Sequence, residues 1–326
     1  MLNAAIVGLG RWGQNLVDSV AGKSDRIRFT RAVARTPAKV AAYCQEKGIA
    51  LGPDYAEALA DRSVGAIVLA TPHTQHSEQI LAAAKAGKHV FVEKPFTLSE
   101  PSARAALEAC KAAGLAVGIG MNRRFYPAIV EMKRMIEAGE LGTILHAETN
   151  VSANLAAAAN TWRANRTESP GGGMTSLGIH GLDALVMLLG PIRIIDCRSA
   201  RRAMPFDVDD VTAMLMTFES GVSGYLACIA ATAHVFSLRV FGSKGWAHMP
   251  NYDTLVKATT AGWGPAGIET KNFPSTPTIK LELEAFADAA EGRAPFPIPP
   301  AEILHVVAAF DAMLSSAKRG SPCSVG

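Results

Sequence analysis

The sequence predicts a two-domain protein, with a doubly wound α/β domain over residues 1–121 and an α+β domain over residues 122–326. Three observations support this. The 326 residues exceed the roughly 150 that one compact domain usually takes. Up to about residue 120, short apolar runs alternate with amphipathic, alanine-rich stretches, as strands and helices of an α/β domain do. After that point the apolar runs follow one another with turn residues between them.

Five apolar runs predict the strands of the first domain. Each is apolar on both faces and leads straight into loop residues, as in a parallel sheet that helices cover on both sides. They lie at Ala4–Val7, Arg28–Ala34, Ala66–Ala70, His89–Val92 and Ala116–Ile119. Ser99 and Pro101 open a helix that Gly114 closes, and Gly87 closes another. Strands and helices therefore alternate, which predicts a doubly wound sheet.

The second domain has a different pattern. Helices are predicted at 127–138, at 174–189, where Gly190 and Pro191 stop the chain, and at 278–291 and 301–318. Strands are predicted at 143–151, 211–218 and 222–230, with further strand-like runs up to about residue 258. This order predicts a mostly antiparallel sheet with helices on one face.

Composition excludes several classes of protein. The 32 Lys and Arg against 29 Asp and Glu give a net charge of +3, with 19% charged and 49% hydrophobic residues, so nucleic acid is not expected as the main partner. No apolar run reaches the roughly 18 to 20 residues that span a bilayer. Because the start, Met1-Leu2-Asn3, lacks a signal-peptide pattern, we expect a cytoplasmic protein with no membrane partner.

The five cysteines, Cys44, Cys110, Cys197, Cys228 and Cys323, form no CxxC pair. Neither a disulfide framework nor a thiolate zinc site is indicated, and no other metal site is evident.

A glycine loop follows the first strand. Gly8, Gly10 and Gly13 form a GxGxxG pattern at a strand-to-helix junction. Gly8 permits the tight turn, Gly10 lets a pyrophosphate approach the backbone, and Gly13 lets helix and strand pack closely. At the head of βα repeats this pattern predicts a dinucleotide site, with Arg11 and Trp12 in the loop beside the cofactor; Trp12 could equally pack in the core.

The end of the second strand bears on the choice of cofactor. An NAD site usually has an acidic residue there, whereas this strand ends in Arg35 and Thr36. A guanidinium suits a 2′-phosphate, so NADP is the preferred cofactor, with NAD as the alternative. Arg35 could also lie in solvent or stack on adenine without discriminating between them.

Further motifs carry a family resemblance. They are Thr71-Pro72-His73, Glu93-Lys94-Pro95, Trp162-Arg163, Gly171-Gly172-Gly173 and Leu177-Gly178-Ile179-His180. With the glycine loop they resemble the glucose-fructose oxidoreductase, inositol dehydrogenase and rhizopine-catabolism (Gfo/Idh/MocA) family over nearly the whole chain. The resemblance implies an N-terminal Rossmann domain, a C-terminal domain with a large open sheet, a nicotinamide cofactor and a sugar, polyol or related small substrate. It also implies that Thr71, Pro72, His73, Glu93 and Lys94 border the cofactor.

Lys94 is the first candidate catalytic residue. It follows a parallel strand at the carboxyl edge, where such sheets bind ligands. Near a positively charged nicotinamide and partly desolvated, it should have a lowered pKa and share a proton with the substrate oxygen. In similar proteins the bond to Pro95 is often cis. The alternative is a solvated loop lysine.

His180 is the second candidate. Ser176, His180 and Asp183 are spaced i, i+4, i+7 and fall on one face of an otherwise apolar helix. A histidine there is commonly a satisfied core residue, but after a triple-glycine turn that lets the helix approach a ligand it is a credible general base.

The chain departs from the family at Ser176, where similar dehydrogenases commonly have aspartate four residues before this histidine. This departure weakens the assignment of a standard polyol-oxidation activity. Arg163 is a candidate clamp for a hydroxyl or carboxylate. Arg123, Arg124 and Tyr126 either line the substrate cleft or brace it.

We therefore expect an NAD(P)-dependent dehydrogenase or reductase that moves a hydride between nicotinamide and a carbinol or carbonyl carbon. Lys94 and His180 are its catalytic residues, and Ser176, Arg163, Arg123 and Tyr126 bind the substrate. Two other functions stay open: a non-catalytic cofactor-sensing regulator, and C–N or elimination chemistry with cofactor recycling. The apolar sheet of the second domain predicts a homodimer or homotetramer, with a neutral outer face as the alternative.

Overall fold

A computed structural model describes residues 1–260 and 267–326. Its contacts divide the chain into two compact units. The first comprises Met1–Asn122 and Pro277–Leu304, and the second comprises Arg123–Thr276 and His305–Gly326.

The first unit contains a six-stranded parallel sheet in the order β3-β2-β1-β4-β5-β6. Its strands are β1 (Leu2–Val7), β2 (Ile27–Val33), β3 (Ala50–Gly52), β4 (Ala66–Leu69), β5 (His89–Val92) and β6 (Val117–Ile119). All residues of β4 and β6 are buried, as strands covered on both faces require. The predicted doubly wound parallel sheet is confirmed, with β3 as an additional edge strand.

Helices alternate with these strands. They are α1 (Arg11–Val20), α2 (Ala41–Lys47), α3 (Tyr55–Ala60), α4 (His76–Lys85) and α5 (Glu100–Ala112). The predicted stops act as expected, since Gly87 and Gly114 follow α4 and α5 with φ of 69° and 67°.

The second unit contains a nine-stranded sheet in the order β14-β13-β12-β11-β7-β10-β9-β8-β15. Its strands are β7 (Ile144–Ser152), β8 (Ile192–Ala200), β9 (Val211–Phe218), β10 (Ser223–Ile229), β11 (Val235–Gly242), β12 (Gly245–Asn251), β13 (Thr254–Thr259), β14 (Glu269–Asn272) and β15 (Cys323–Ser324). Only the β7–β10 pair of this described sheet is parallel. The predicted large, mostly antiparallel sheet is confirmed.

Two helices of this unit are α6 (Pro127–Glu137) and α7 (Ile179–Leu189). The expected α-helix over 174–189 differs at its start, because Met174–Gly178 forms a π-helical turn before α7. Along β9, buried residues such as Met214 and Met216 alternate with more exposed ones such as Leu215, so one face of the strand is covered.

The last two helices are α8 (Thr278–Ala290) and α9 (Pro300–Arg319). Segment Pro277–Leu304, which carries α8, belongs to the first unit. The two units therefore differ from the predicted domains 1–121 and 122–326, because a later segment of the chain returns to the first unit. Within the described parts of the chain, no helix is long and apolar enough to cross a membrane.

Candidate functional site

In the first unit, three neighbouring strands end at loops that carry the sequence motifs. β1, β4 and β5 lie side by side, and Gly8, Thr71 and Glu93 follow within two residues of their carboxyl ends. The loops after β1 and β4 touch, because a Cβ on Gly8 would lie 2.6 Å from the Ala70 carbonyl oxygen. Strand order reverses between β1 and β4, which is where doubly wound sheets bind ligands.

The glycine loop has the shape that a bound pyrophosphate needs. Gly10 caps α1 without a side-chain hydrogen bond and is exposed, with nothing within 4 Å of a Cβ placed on it. Gly13 packs so closely that its Cβ would lie 2.2 Å from the Gly8 carbonyl oxygen. The first turn of α1 has no acidic residue. Its amides and positive dipole can therefore hold an anion.

Two side chains of the loop extend this site. Arg11 is exposed at the start of α1. The indole Nε1 of Trp12 is buried, and no hydrogen-bond partner for it is found among residues 1–260 and 267–326. An unsatisfied buried donor in a glycine loop fits a ligand that brings acceptors.

Arg35 and Thr36 are exposed just beyond the end of β2. The neighbouring Arg31 is used differently, because its guanidinium pairs with Glu57 at 3.2 Å and Asp61 at 3.3 Å. The loop after β2 thus presents Arg35 to solvent without a carboxylate at residues 34–36.

The loop after β4 is held by buried polar contacts. Thr71 is buried, and its Oγ1 donates to Gln79 Oε1 at 2.6 Å. His73 is also buried, and its ring centroid lies 5.7 Å from that of His76.

His76 was not among the candidate site residues of the sequence, although it lies beside them. It is fully buried at the start of α4, with Nδ1 2.8 Å from the Pro95 carbonyl oxygen and Nε2 3.1 Å from the Thr71 carbonyl oxygen. The imidazole thus bridges the loops after β4 and β5. A histidine at the first helical position after a buried strand was the available signal.

The Glu93-Lys94-Pro95 segment lies beyond β5. The Lys94–Pro95 bond is cis, as the family resemblance implies. The Lys94 amide donates to Glu93 Oε2 at 3.3 Å, and Lys94 itself is half-buried between the buried Glu93 and Pro95.

In the second unit, Ser176 lies in the π-helical turn and His180 is the second residue of α7. His180 is buried and Ser176 half-buried. A Cβ on Gly178 would lie 2.1 Å from Met174 Sδ, so any larger residue here would force the Met174 side chain to move. π-turns are frequent at functional sites, and the 3.6-residue pattern of the sequence could not predict one.

The triple-glycine turn packs tightly against other residues of the second unit. Cβ atoms on Gly171, Gly172 and Gly173 would lie 2.8 Å from Phe310 Cζ, 2.0 Å from the Asp209 carbonyl oxygen and 2.8 Å from Ala230 Cβ. Packing within the second unit therefore accounts for these glycines, and the close approach of a ligand that the sequence suggested stays a prediction.

The third polar residue of the predicted stripe has an internal partner. Asp183 accepts from Arg124 Nε at 2.8 Å and Nη2 at 2.6 Å, and both side chains are buried. Arg124 therefore braces α7.

The other candidates for substrate contact lie on aromatic rings. The Arg123 guanidinium carbon is 5.0 Å from the Tyr252 ring centroid, and Tyr126 stacks on Tyr252 at 4.7 Å. Burial lowers the pKa of Arg123. The Arg163 guanidinium carbon lies 4.1 Å from the Trp162 ring centroid.

Two family models match the chain. Residues 2–121 match the model described as an oxidoreductase family with an NAD-binding Rossmann fold, and residues 129–248 match the GFO/IDH/MocA C-terminal domain.

Individual proteins agree with these models. The scyllo-inositol 2-dehydrogenase (NAD(+)) of Bacillus subtilis is 31% identical over 75% of this chain and 72% of its own length. The D-xylose 1-dehydrogenase (NADP(+)) 2 of Haloferax volcanii is 28% identical over 88% of this chain and 89% of its own. A putative NADPH-dependent oxidoreductase of Desulfitobacterium hafniense superposes with a TM-score of 0.91 at 26% identity, covering 99% of this chain and 97% of its own. The chain therefore belongs to the Gfo/Idh/MocA family of oxidoreductases and carries that family's NAD-binding Rossmann domain.

Proposed function

We propose that this protein transfers a hydride between the nicotinamide of NADP or NAD and a carbinol or carbonyl carbon of a small sugar or polyol. The observation that carries the proposal is a half-buried lysine beyond β5, on the carboxyl edge that also carries an open glycine loop. The substrate class is supported by the names of the two dehydrogenase relatives, which act on an inositol and on xylose.

The coenzyme is held by the carboxyl edge of the first unit in this proposal. Amides beside Gly8, Gly10 and Gly13 bind the pyrophosphate, with Arg11 and Trp12 adjacent. The nicotinamide end is bordered by Thr71, Pro72, His73, Glu93 and Lys94. Arg35 and Thr36 bind the 2′-phosphate of NADP, because the end of β2 offers a guanidinium and no carboxylate. When bound, the coenzyme supplies the hydride chemistry.

The protein's own groups handle the proton. As an alcohol carbon loses hydride, its hydroxyl proton must pass to a base, and His180 is the proposed acceptor. Lys94 polarises the same oxygen by donating to it. Ser176, Arg163, Arg123 and Tyr126 orient the other substrate groups. Running the steps backwards reduces a carbonyl, with His180 returning the proton.

Ser176 favours a second candidate, in which the cofactor is recycled during C–N or elimination chemistry. The family's dehydrogenases commonly carry aspartate at this place, and a serine cannot raise the basicity of His180 as a carboxylate would. Such a reaction yields product without a lasting change in reduced nicotinamide.

We also propose a cytoplasmic homodimer or homotetramer. Leu215 on β9 is 59% exposed and lies in register with the half-buried Tyr225 on β10, and a second subunit on this face of the sheet would cover it. Five free cysteines suit a reducing compartment. Light scattering of the native protein beside Leu215→Glu tests the assembly, because a charge on the interface should lower the measured mass.

The deciding experiment screens sugars, polyols and small carbonyl compounds with both coenzymes, following the absorbance of reduced nicotinamide and the products. Lys94→Ala should weaken NADPH binding by no more than a few-fold yet lose at least 100-fold in turnover, whereas Lys85→Ala, which removes an exposed lysine at the end of α4, should leave both unchanged. Normal turnover by Lys94→Ala contradicts the catalytic assignment. Product without net absorbance change favours recycling, and binding without any product favours a regulator.

A further inference from the structure

Helix α8 brings a fully buried carboxyl group to the edge of the sheet that carries Lys94. Thr278, Glu282 and Phe286 are spaced four residues apart and therefore share one face of α8. Thr278 Oγ1 accepts from Asn122 Nδ2 at 2.9 Å. One turn beyond Glu282, the Phe286 ring packs 5.6 Å from the Phe91 ring, and a Cβ on Gly118 would lie 3.0 Å from it. Glu282 thus lies between these contacts, level with Gly120.

The Glu93 carboxyl group also lies next to Gly120. A Cβ on Gly120 would lie 2.6 Å from Glu93 Oε1, so this carboxyl group rests directly on the backbone there. Glu93 is 6% exposed and Glu282 is 0% exposed. The two carboxyl groups interact electrostatically. Two negative charges cannot both be kept in such a buried space at modest cost, so the pair is expected to retain a proton.

The surroundings of the two groups differ. Neither oxygen of Glu282 has a hydrogen-bond partner in the described parts of the chain. Burial raises the pKa of Glu282 well above its usual value, and the charge of Glu93 raises it further. Glu93, in contrast, accepts the Lys94 amide at 3.3 Å. Of the two carboxyl groups, the one that already accepts a hydrogen bond is the one that stays ionised.

The three elements that pack most closely against α8 bring no buried charge to Glu282. α1, β2 and β6 pack against α8. Their buried residues are uncharged: Gly13, Leu16, Val17, Val20, Ile27, Phe29, Ala32, Val33, Val117, Gly118 and Ile119. Other charged groups of α8 pair elsewhere, Lys280 with Glu284 and Asp288 with Arg26 and Arg293.

We propose that Glu282 holds the one proton of this pair, which leaves Glu93 as the charged member and makes it the positioning residue for Lys94. Its relevance to catalysis rests on the proposed function of Lys94, whereas the location of the proton does not. The Glu93 carboxylate holds the Lys94 backbone through its amide, and a single negative charge there favours the charged form of the lysine. A second charge at Glu282 would hold the proton on Lys94 more tightly and oppose its transfer.

Infrared spectroscopy of the intact, coenzyme-free protein locates the proton. A protonated carboxylic acid has a carbonyl stretch above the amide I band. This band should persist in wild-type protein from mildly acid to mildly alkaline buffer. It should disappear in Glu282→Gln and remain in Glu93→Gln and in the control Glu284→Gln, which lies on the same helix and pairs with Lys280. Loss of the band in Glu93→Gln, or no such band in wild-type protein, overturns the assignment.

Competitive acetylation of Lys94, read by mass spectrometry across pH, tests the link to the lysine without any substrate. Glu93→Gln should lower the pH at which Lys94 becomes reactive by about 1, and Glu282→Gln should leave it unchanged. A shift in Glu282→Gln, or none in Glu93→Gln, overturns the positioning role. Failure of the proposed function is separate, because it would show as normal turnover in Lys94→Ala whatever these spectra show.

Discussion

Arg124 holds the Asp183 carboxylate through two parallel N–H···O contacts, three residues along α7 from His180. Both side chains are almost fully buried, so each charge depends on the other for stabilisation. The pair fixes the helix that carries the proposed base while taking Asp183 out of the reaction.

Breaking this pair should destabilise the protein strongly. Arg124→Met should cost about 3–5 kcal/mol in the free energy of unfolding, because Asp183 would be left as a buried, uncompensated charge. Urea unfolding followed by circular dichroism measures the loss. The double variant Arg124→Met with Asp183→Leu should recover much of it, since no charge then remains buried.

A surface pair provides the matched control. Arg134 is about half exposed and pairs with Glu131 at 2.9 Å, so Glu131→Gln should change stability little. If Arg124→Met is as stable as this control, the buried pair does not brace α7.

Much of the architecture could be predicted from the sequence, because burial leaves a periodic pattern. β5 and β9 have the bounds that their apolar patterns predicted, His89–Val92 and Val211–Phe218. The missed strand β3 has only three residues and pairs with β2 alone, so it carries too little pattern to detect. The π-helical turn before α7 was missed because a helical sequence pattern does not distinguish hydrogen bonds to the fourth residue from hydrogen bonds to the fifth.

The candidate site likewise contains features that the sequence could predict and features that it could not. The positions of the first-loop glycines and of Lys94 at strand ends were predictable from the sequence, and the structure has them just beyond β1 and β5. Contacts between distant segments were not predictable. The bridge from His76 to Pro95 and the approach of Glu282 to Glu93 depend on how loops and helices pack, and no local pattern encodes that pairing.

The two later glycines of the first loop should respond differently to alanine. Gly10 has a φ of −75° and open space around it, so Gly10→Ala should change the free energy of unfolding by less than about 0.5 kcal/mol. A methyl group there would still obstruct the pyrophosphate, so we expect at least a tenfold weaker Kd for NADPH. Fluorescence titration and thermal unfolding measure the two effects.

Gly13→Ala provides the contrast. Its Cβ would lie 2.2 Å from the Gly8 carbonyl oxygen, so the backbone must move and stability should fall by about 1–3 kcal/mol. Equal stability losses in the two variants, or normal NADPH binding by Gly10→Ala, would contradict the proposed use of the open loop.

Arg35→Ala tests the preference for NADP. A charge-assisted contact with the 2′-phosphate is worth about 1.5–3 kcal/mol, which corresponds to a Kd for NADPH about 10- to 100-fold weaker. The Kd for NADH should stay unchanged. Arg28→Ala, which removes an exposed arginine of β2 that bonds to Asn3, is the control and should affect neither coenzyme. Parallel losses for NADPH and NADH in Arg35→Ala would rule out a phosphate clamp.

The stability of the second unit should depend on pH through His305. Its Nε2 accepts the Ile192 amide at 2.8 Å, which requires a neutral ring nitrogen. Burial lowers the pKa of His305 below its ordinary value of 6.5. The group therefore contributes stability that is present above that value and is lost as pH falls through the folded-state pKa. Burial also lowers the pKa of His89 and of His248.

The free energy of unfolding should therefore decrease between about pH 7 and pH 5, because protonation of His305 competes with the Ile192 hydrogen bond. His305→Gln keeps an acceptor but does not titrate, so it should be less stable near neutrality and show a smaller decrease towards acid. His234→Gln, at an exposed histidine, should keep the wild-type decrease. Urea unfolding at several pH values measures these slopes. An unchanged slope in His305→Gln would mean that other groups, such as His89, account for the acid sensitivity.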